Sequence, residues 1–181
     1  QALKMHVGKI LERNMLPPNF PIEYKDLKSE RIHHIIKDNS TFFVKYEDHD
    51  VFKIMAMQSF APSHPQQGAI YYKIIDCDTK GSLACIWDIE SKIGGDKAVI
   101  NFSKDCDIMI HDTQYTNEEY QSQERIVQGF GHSTYDMAVE NATQAGIKKM
   151  LLCTHFNTTH TDDFLDAIQK EMNKKKTGFN I

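Results

Sequence analysis

Residues 107–155, DIMIHDTQYTNEEYQSQERIVQGFGHSTYDMAVENATQAGIKKMLLCTH, decide how this chain is built. The stretch opens on a short β-branched strand, DIMIHD, and closes on KKMLLCTH, a continuous apolar run of strand length. Between them, YDMAVENATQA places Met137, Ala138, Asn141 and Ala145 on one helical face. Ser133 or Thr134 caps that helix and Gly146 stops it. Asn117 to Gln128 is polar and starts a further helix, with Thr116 as its cap. Downstream, Thr161-Asp162-Asp163 caps FLDAIQKEMNKKK, which carries Phe164, Leu165, Ile168 and Met172 on one face. Its acidic start and basic end agree with the helix dipole.

Upstream the rhythm differs. RIHHIIK, TFFVKY, VFKIMAMQSF and AIYYKII are short, β-branched and aromatic, and DNS, EDHD and APSHPQQG separate them, so they read as successive strands. SLACIWDIE follows Thr79-Lys80-Gly81 and reads as one more strand, paired with AIYYKII across that turn. Residues 1–14 place Leu3, Val7, Ile10 and Leu11 at helical spacing, and Leu16-Pro17-Pro18 ends that helix. A strand meander followed by β-α units predicts an α/β chain, a sheet with helices packed on it.

The chain has 181 residues, 40% hydrophobic and 25% charged, with a formal net charge of −4. A chain of this length buries roughly 70% of its unfolded surface on folding, so it forms a core without disulfide staples. One domain, 1–181, is expected. No global basic field advertises nucleic acid, although a local basic groove stays open. No apolar run approaches membrane-spanning length and no signal peptide is visible. Cys77, Cys85, Cys106 and Cys153 lie in or beside apolar stretches without a C-x-x-C pair, which predicts reduced cysteines and a cytoplasmic protein.

Chemistry-bearing residues gather at element ends. His64 precedes a strand in SHPQQG, His132 precedes a helix cap in GFGHST, His155 ends KKMLLCTH, and His160 precedes Thr161. Asp88 and Asp112 end the strands CIWDIE and IMIHD. Side chains at strand ends of one sheet converge on a shared rim, where ligands of α/β sheets bind. Histidine and aspartate together suit zinc and its neighbours. Each residue also has an ordinary reading: a satisfied surface histidine, or an aspartate serving a turn.

Taken in order, HPQQGAIYYKI, CIWDIE, DIMIHDTQY, GFGHST, AGIKKMLLCTH and HTDDFLDAI resemble the metallo-β-lactamase superfamily. The branch they resemble contains RNase Z-like nucleases and cyclic-nucleotide phosphodiesterases. The resemblance covers roughly residues 60 to 170. It implies an αββα sandwich and hydrolysis of a phosphodiester by a hydroxide held between two divalent metals, zinc foremost, with manganese or iron as alternatives. It implies that His64 and His155 are metal ligands, that Asp88 bridges the two metals, that His132 is the catalytic helper at the phosphate or leaving oxygen, and that Asp112 orients a neighbour. The implied substrates are a cyclic nucleotide or another small phosphodiester, or RNA. Lys174-Lys175-Lys176 reads as a solvated helix end rather than an RNA-binding arm.

One departure is large. The family's His-x-His-x-Asp-His motif, which supplies four ligands, is absent from this chain; Arg31-Ile32-His33-His34 and Tyr46-Glu47-Asp48-His49 have neither its spacing nor its place. The chain therefore reads as the C-terminal part of the sandwich, without its N-terminal strands. Two explanations stand open: a fragment, favoured by Gln1 in place of an initiator methionine, or a degenerate chain that keeps the fold as a non-catalytic binding or regulatory module. On either, hydrolysis by this chain alone is not expected, and half a sandwich would need its missing N-terminal segment or self-associate.

Overall fold

The computed structural model describes residues 7–16, 21–28, 36–59 and 68–181. His64 and most of RIHHIIK lie outside them, so the ligand expected at His64 and the strand expected there have no counterpart to compare. The chain divides into two compact units, Gln1–Ile36 and Lys37–Ile181. In the first, helix α1 (Val7–Asn14) and a short 3-10 turn (Tyr24–Asp26) pack together, and among its described residues Met15 and Tyr24 are buried apolar side chains.

The second unit is built on a six-stranded sheet whose spatial order follows the chain: β1 (Thr41–Tyr46), β2 (His49–Ser59), β3 (Ala69–Asp76), β4 (Ser82–Ile86), β5 (Ile108–Asp112) and β6 (Met150–Thr154). The pairs β1–β2, β2–β3 and β3–β4 are antiparallel, whereas β4–β5 and β5–β6 are parallel. This mixture has a direct cause. Short turns can only return a strand antiparallel, and a parallel neighbour needs a crossover long enough for a helix. The crossover from β4 to β5 holds helix α2 (Lys97–Ser103), and that from β5 to β6 holds α3 (Asn117–Gln121) and α4 (Tyr135–Ala145). Helix α5 (Asp162–Met172) follows β6.

Local chemistry sets the helix ends. Thr116 and Glu119 form a reciprocal capping box on α3, Thr134 accepts from the Met137 amide at the start of α4, and Thr161 accepts from the Phe164 amide at the start of α5. Gly146 closes α4 in the left-handed region, with φ of 68°. Helix α2 had no sequence expectation; Asp96, whose side chain accepts from the Ala98 and Val99 amides, caps it.

Register shows which face the helices cover. Ala84, Met109 and Leu151 lie side by side across β4, β5 and β6, and with Tyr71, Ile86, Val99, Ala138, Ala142 and Ala145 they form the main core beneath α2 and α4. The opposite face holds Cys85, Ile110 and Leu152 in one row and Val44 and Phe52 in another. Val44, Phe52, Ile70 and Leu152 on that face remain exposed.

Several expectations need correction. The strand expected over SLACIWDIE stops at Ile86, because Asp88 turns into the left-handed region at φ 58°, which an aspartate tolerates better than a bulky residue. The helix expected to run towards Gln128 ends at Gln121, with Ser122 back in extended conformation. KKMLLCTH is not buried throughout: Leu151 is buried and Leu152 is exposed, since successive strand residues face opposite ways. All four cysteines are free; Cys85 and Cys106 are buried, and Cys77 and Cys153 half-buried.

Candidate functional site

Asp88, Asp112, His132 and His155 each arrive from a different segment: the turn after β4, the end of β5, the loop before α4 and the end of β6. Parallel strands carry their C-terminal ends to one edge of the sheet, and the four side chains meet there. One donor atom from each lies within 4.8 Å of the others. Both turns that deliver a side chain to this edge use the left-handed region, Asp88 at φ 58° and His155 at φ 63°, a strain that concentrates at functional sites.

Asp112 is the hub. It is fully buried, and its Oδ2 accepts from His132 Nδ1 at 2.9 Å and from His155 Nδ1 at 2.8 Å. Its Oδ1 accepts from the Ser133 amide at 3.0 Å and the Gln114 amide at 3.2 Å. Burial alone would raise the Asp112 pKa, but the bonds from His132, His155 and the Ser133 amide outweigh it and hold the carboxyl below its ordinary value. The same bond to Asp112 raises the pKa of His132, against the opposing effect of burial. The two imidazoles stand edge to face, with centroids 4.7 Å apart. Asp88 Oδ1 is buried, 3.7 Å from His132 Nδ1 and 3.9 Å from His155 Nδ1.

This arrangement separates two jobs. The Asp112 oxygens are already engaged by four N–H groups, which suits a carboxylate that fixes its neighbours. A histidine whose Nδ1 is held by such a carboxylate presents its other ring nitrogen to a metal, the usual carboxylate–histidine–metal relay. Ligand atoms on a tetrahedral zinc lie roughly 3–4 Å apart. With Asp112 so engaged, Asp88 and the imidazoles, whose donor atoms lie within 4.8 Å of one another, are the groups here that could hold a divalent cation.

Under the site runs a polar network without solvent access. His111 Nδ1 lies 2.7 Å from the Asp112 carbonyl, so that nitrogen carries the proton, and Nε2 accepts from Asn141 Nδ2 at 3.0 Å. Burial lowers the His111 pKa, so the ring stays neutral. Asn141 also donates to Ser91 Oγ at 2.9 Å and accepts from the Asp96 amide at 2.8 Å. Ser133 Oγ donates to the Ile89 carbonyl at 2.6 Å and accepts from the Ser91 amide at 2.9 Å. Three site-bearing segments are thereby tied to one another and to α4.

Among the residues expected at the site, the structure brings Asp88, Asp112, His132 and His155 together. His160 stands apart, its Nε2 bonded to Glu119 Oε1 at 2.8 Å and its ring against Phe164. Sequence reasoning missed Glu90, Ser91 and Asn141. Asn141 carried one legible signal, a polar residue on the apolar face of α4; Glu90 and Ser91 carried none.

No protein-family model matches the chain. Its fold is the metallo-β-lactamase fold: the YhfI protein of Bacillus subtilis, described as a metallo-β-lactamase fold protein, superposes with a TM-score of 0.56 at 18% identity, over 80% of this chain and 50% of that one. In sequence the chain is similar to ribonuclease Z of Methanosarcina acetivorans, 33% identical over 78 residues, which are 43% of this chain and 24% of the relative. It is also similar to ribonuclease Z of Lactiplantibacillus plantarum, 28% identical over 75 residues, 41% of this chain and 22% of the relative. The match thus spans about a quarter of the curated relatives' length.

Proposed function

We propose that the complete protein is a metal-dependent hydrolase of phosphodiester bonds. The observation that carries this reading is the meeting of Asp88, Asp112, His132 and His155 around one point, with Asp112 gripping both imidazoles. In this reading Asp88 and His155 would hold metal, together with His64, with Asp88 as the carboxylate shared between two ions. His132 is the helper at the phosphate or leaving oxygen, and Asp112 orients both rings. Bound metals would neutralise phosphodiester oxygens and activate a water for in-line attack. His132, whose protonated form the bond to Asp112 favours, is the group that would pass a proton to the departing oxygen. The substrates that suit this chemistry are a cyclic nucleotide, another small phosphodiester, or RNA, the last supported by the likeness to ribonuclease Z.

A second reading has its own support. Without His-x-His-x-Asp-His, this chain has fewer donors than a two-metal site needs, so a non-catalytic binding or regulatory module on the same fold is the alternative. Either reading leaves this chain alone without hydrolysis.

Metal content per chain, by elemental mass spectrometry after dialysis, tests the assignment. Asp88→Ala and His155→Ala are expected to lose zinc or manganese that the wild type retains, and His132→Ala to keep it. In the complete protein, His132→Ala is expected to lower turnover of a cyclic nucleotide about 100-fold or more. Full metal retention in Asp88→Ala would refute the ligand assignment, and a complete protein that binds no metal would favour the module.

A further inference from the structure

We propose that Glu90 is a positioning residue that sets the place of His132, an inference resting on the reading of His132 as the helper of a hydrolytic site. Glu90 Oε1 accepts from the Tyr120 hydroxyl at 2.6 Å and from the Gly129 amide at 2.8 Å. Its Oε2 accepts from the Gly129 amide at 2.9 Å and from the Gly131 amide at 3.0 Å. Gly129 and Gly131 have φ of 85° and 96°, conformations that only glycine takes without strain. Turning the backbone this way aims both N–H groups into one concavity, the arrangement that binds an anion. Here the anion is a side chain of the same molecule, fixed 39 and 41 residues upstream.

The turn has few other holds: Gln128 Nε2 donates to the Tyr120 carbonyl at 3.0 Å. Val127 is buried with Tyr115, Tyr120 and Met137, but Ile126 and Phe130 on either side are exposed. The Phe130 amide makes one local bond, to the Val127 carbonyl at 3.1 Å. Beyond His132 the chain is gripped again, because Ser133 binds Ile89, Ser91 and Asp112. Residues 89–91 therefore hold the His132 loop on both sides, Glu90 upstream and its two neighbours downstream. Asp88 stands directly before them, so a shift of this turn is transmitted to His132 through Glu90. Tyr120 fixes the carboxylate in turn; burial and its bond to Glu90 both push the phenol pKa up.

The test uses the full chain free of metal and substrate, so that it does not depend on catalysis. Amide exchange at Gly129 and Gly131, and the imidazole N–H signal of His132 bonded to Asp112, are followed by NMR in wild type, Glu90→Gln, Glu90→Ala and Tyr120→Phe. Glu90→Gln preserves volume but loses one acceptor and the charge. It is expected to speed exchange at both glycines about tenfold or more, to broaden or shift the His132 signal, and to leave β4 and β5 amides at wild-type rates. Tyr120→Phe, which removes one hydroxyl, is expected to move the same signals less. A space-filling role predicts that Glu90→Gln matches wild type, and that result overturns the proposal. Faster exchange at the glycines with an unmoved His132 signal overturns it too, and this readout survives if Glu90→Ala does not fold. Failure of the complete protein to bind metal would count against the hydrolase reading while leaving this coupling intact.

Discussion

At the scale of single residues, the buried polar groups beneath the site matter more than their number suggests. Asn141 is fully buried and satisfies His111 Nε2, Ser91 Oγ and the Asp96 amide at once. Asn141→Leu would strip the Asp96 amide of its acceptor and leave Ser91 Oγ and His111 Nε2 with only their mutual bond at 3.2 Å, at a cost of about 1–3 kcal/mol. Urea unfolding measures it, and a loss below about 1 kcal/mol would show that water reaches the network. His132 and Asp112 give a pH signature in the metal-free chain. The raised pKa of His132 means its stabilisation is complete below the ordinary histidine value and is lost as pH rises through the folded value. The lowered pKa of Asp112 means its share is present above the ordinary carboxylate range and is lost as pH falls through the folded value. Stability is therefore expected to decline on both sides of a slightly acidic window. His132→Ala should flatten the alkaline side, and an unchanged profile from urea melts across pH would show that the pair does not form.

At the scale of elements, the helix termini were the most legible part of the chain, because a cap is a contact within three or four residues. Thr116 and Gly146 were both readable as punctuation, and both act so. Thr116→Ala removes the acceptor for the Glu119 amide and is expected to cost about 1 kcal/mol. Gly146→Ala forces a side chain to φ 68° and brings its Cβ to 3.3 Å from Asp105 Oδ1, for a similar loss of roughly 1 kcal/mol. Thermal unfolding of the two variants tests both values. Strand ends were less legible. Nothing in CIWDIE says that the chain leaves the sheet at Trp87, since Ile89 is as β-prone as Ile86; the break follows from Asp88 turning towards Asp112 and the histidines.

At the scale of the whole molecule, the sheet has one face covered by α2 and α4 and another with apolar side chains in solvent. Leu151 and Leu152 sample the two. Leu151→Ala is expected to cost about 2–5 kcal/mol, and Leu152→Ala under about 1 kcal/mol. Equal losses in denaturant would mean that something covers the second face. Sedimentation at rising concentration offers an independent check. An apolar face of this kind is expected to drive association of the chain with itself, and Phe52→Asp with Leu152→Asp to reverse it. A monomer at every concentration would show that the face is tolerated by water.

The sequence alone determined the alternation of strands and helices over residues 107–172, most of the caps, and the resemblance that singled out Asp88, Asp112, His132 and His155. These are properties of short stretches: side-chain periodicity, a hydroxyl facing an amide, a glycine in a left-handed turn. Their meeting was decided only by the tertiary structure. Asp112 and His155 are 43 residues apart, and Glu90 and Gly129 are 39 apart. No local preference encodes such a distance; the parallel register of β4, β5 and β6 does. The same register placed Leu151 under helices and Leu152 in solvent. It also gave Glu90, an ordinary acidic residue to any local reading, two glycine amides and a phenol to hold.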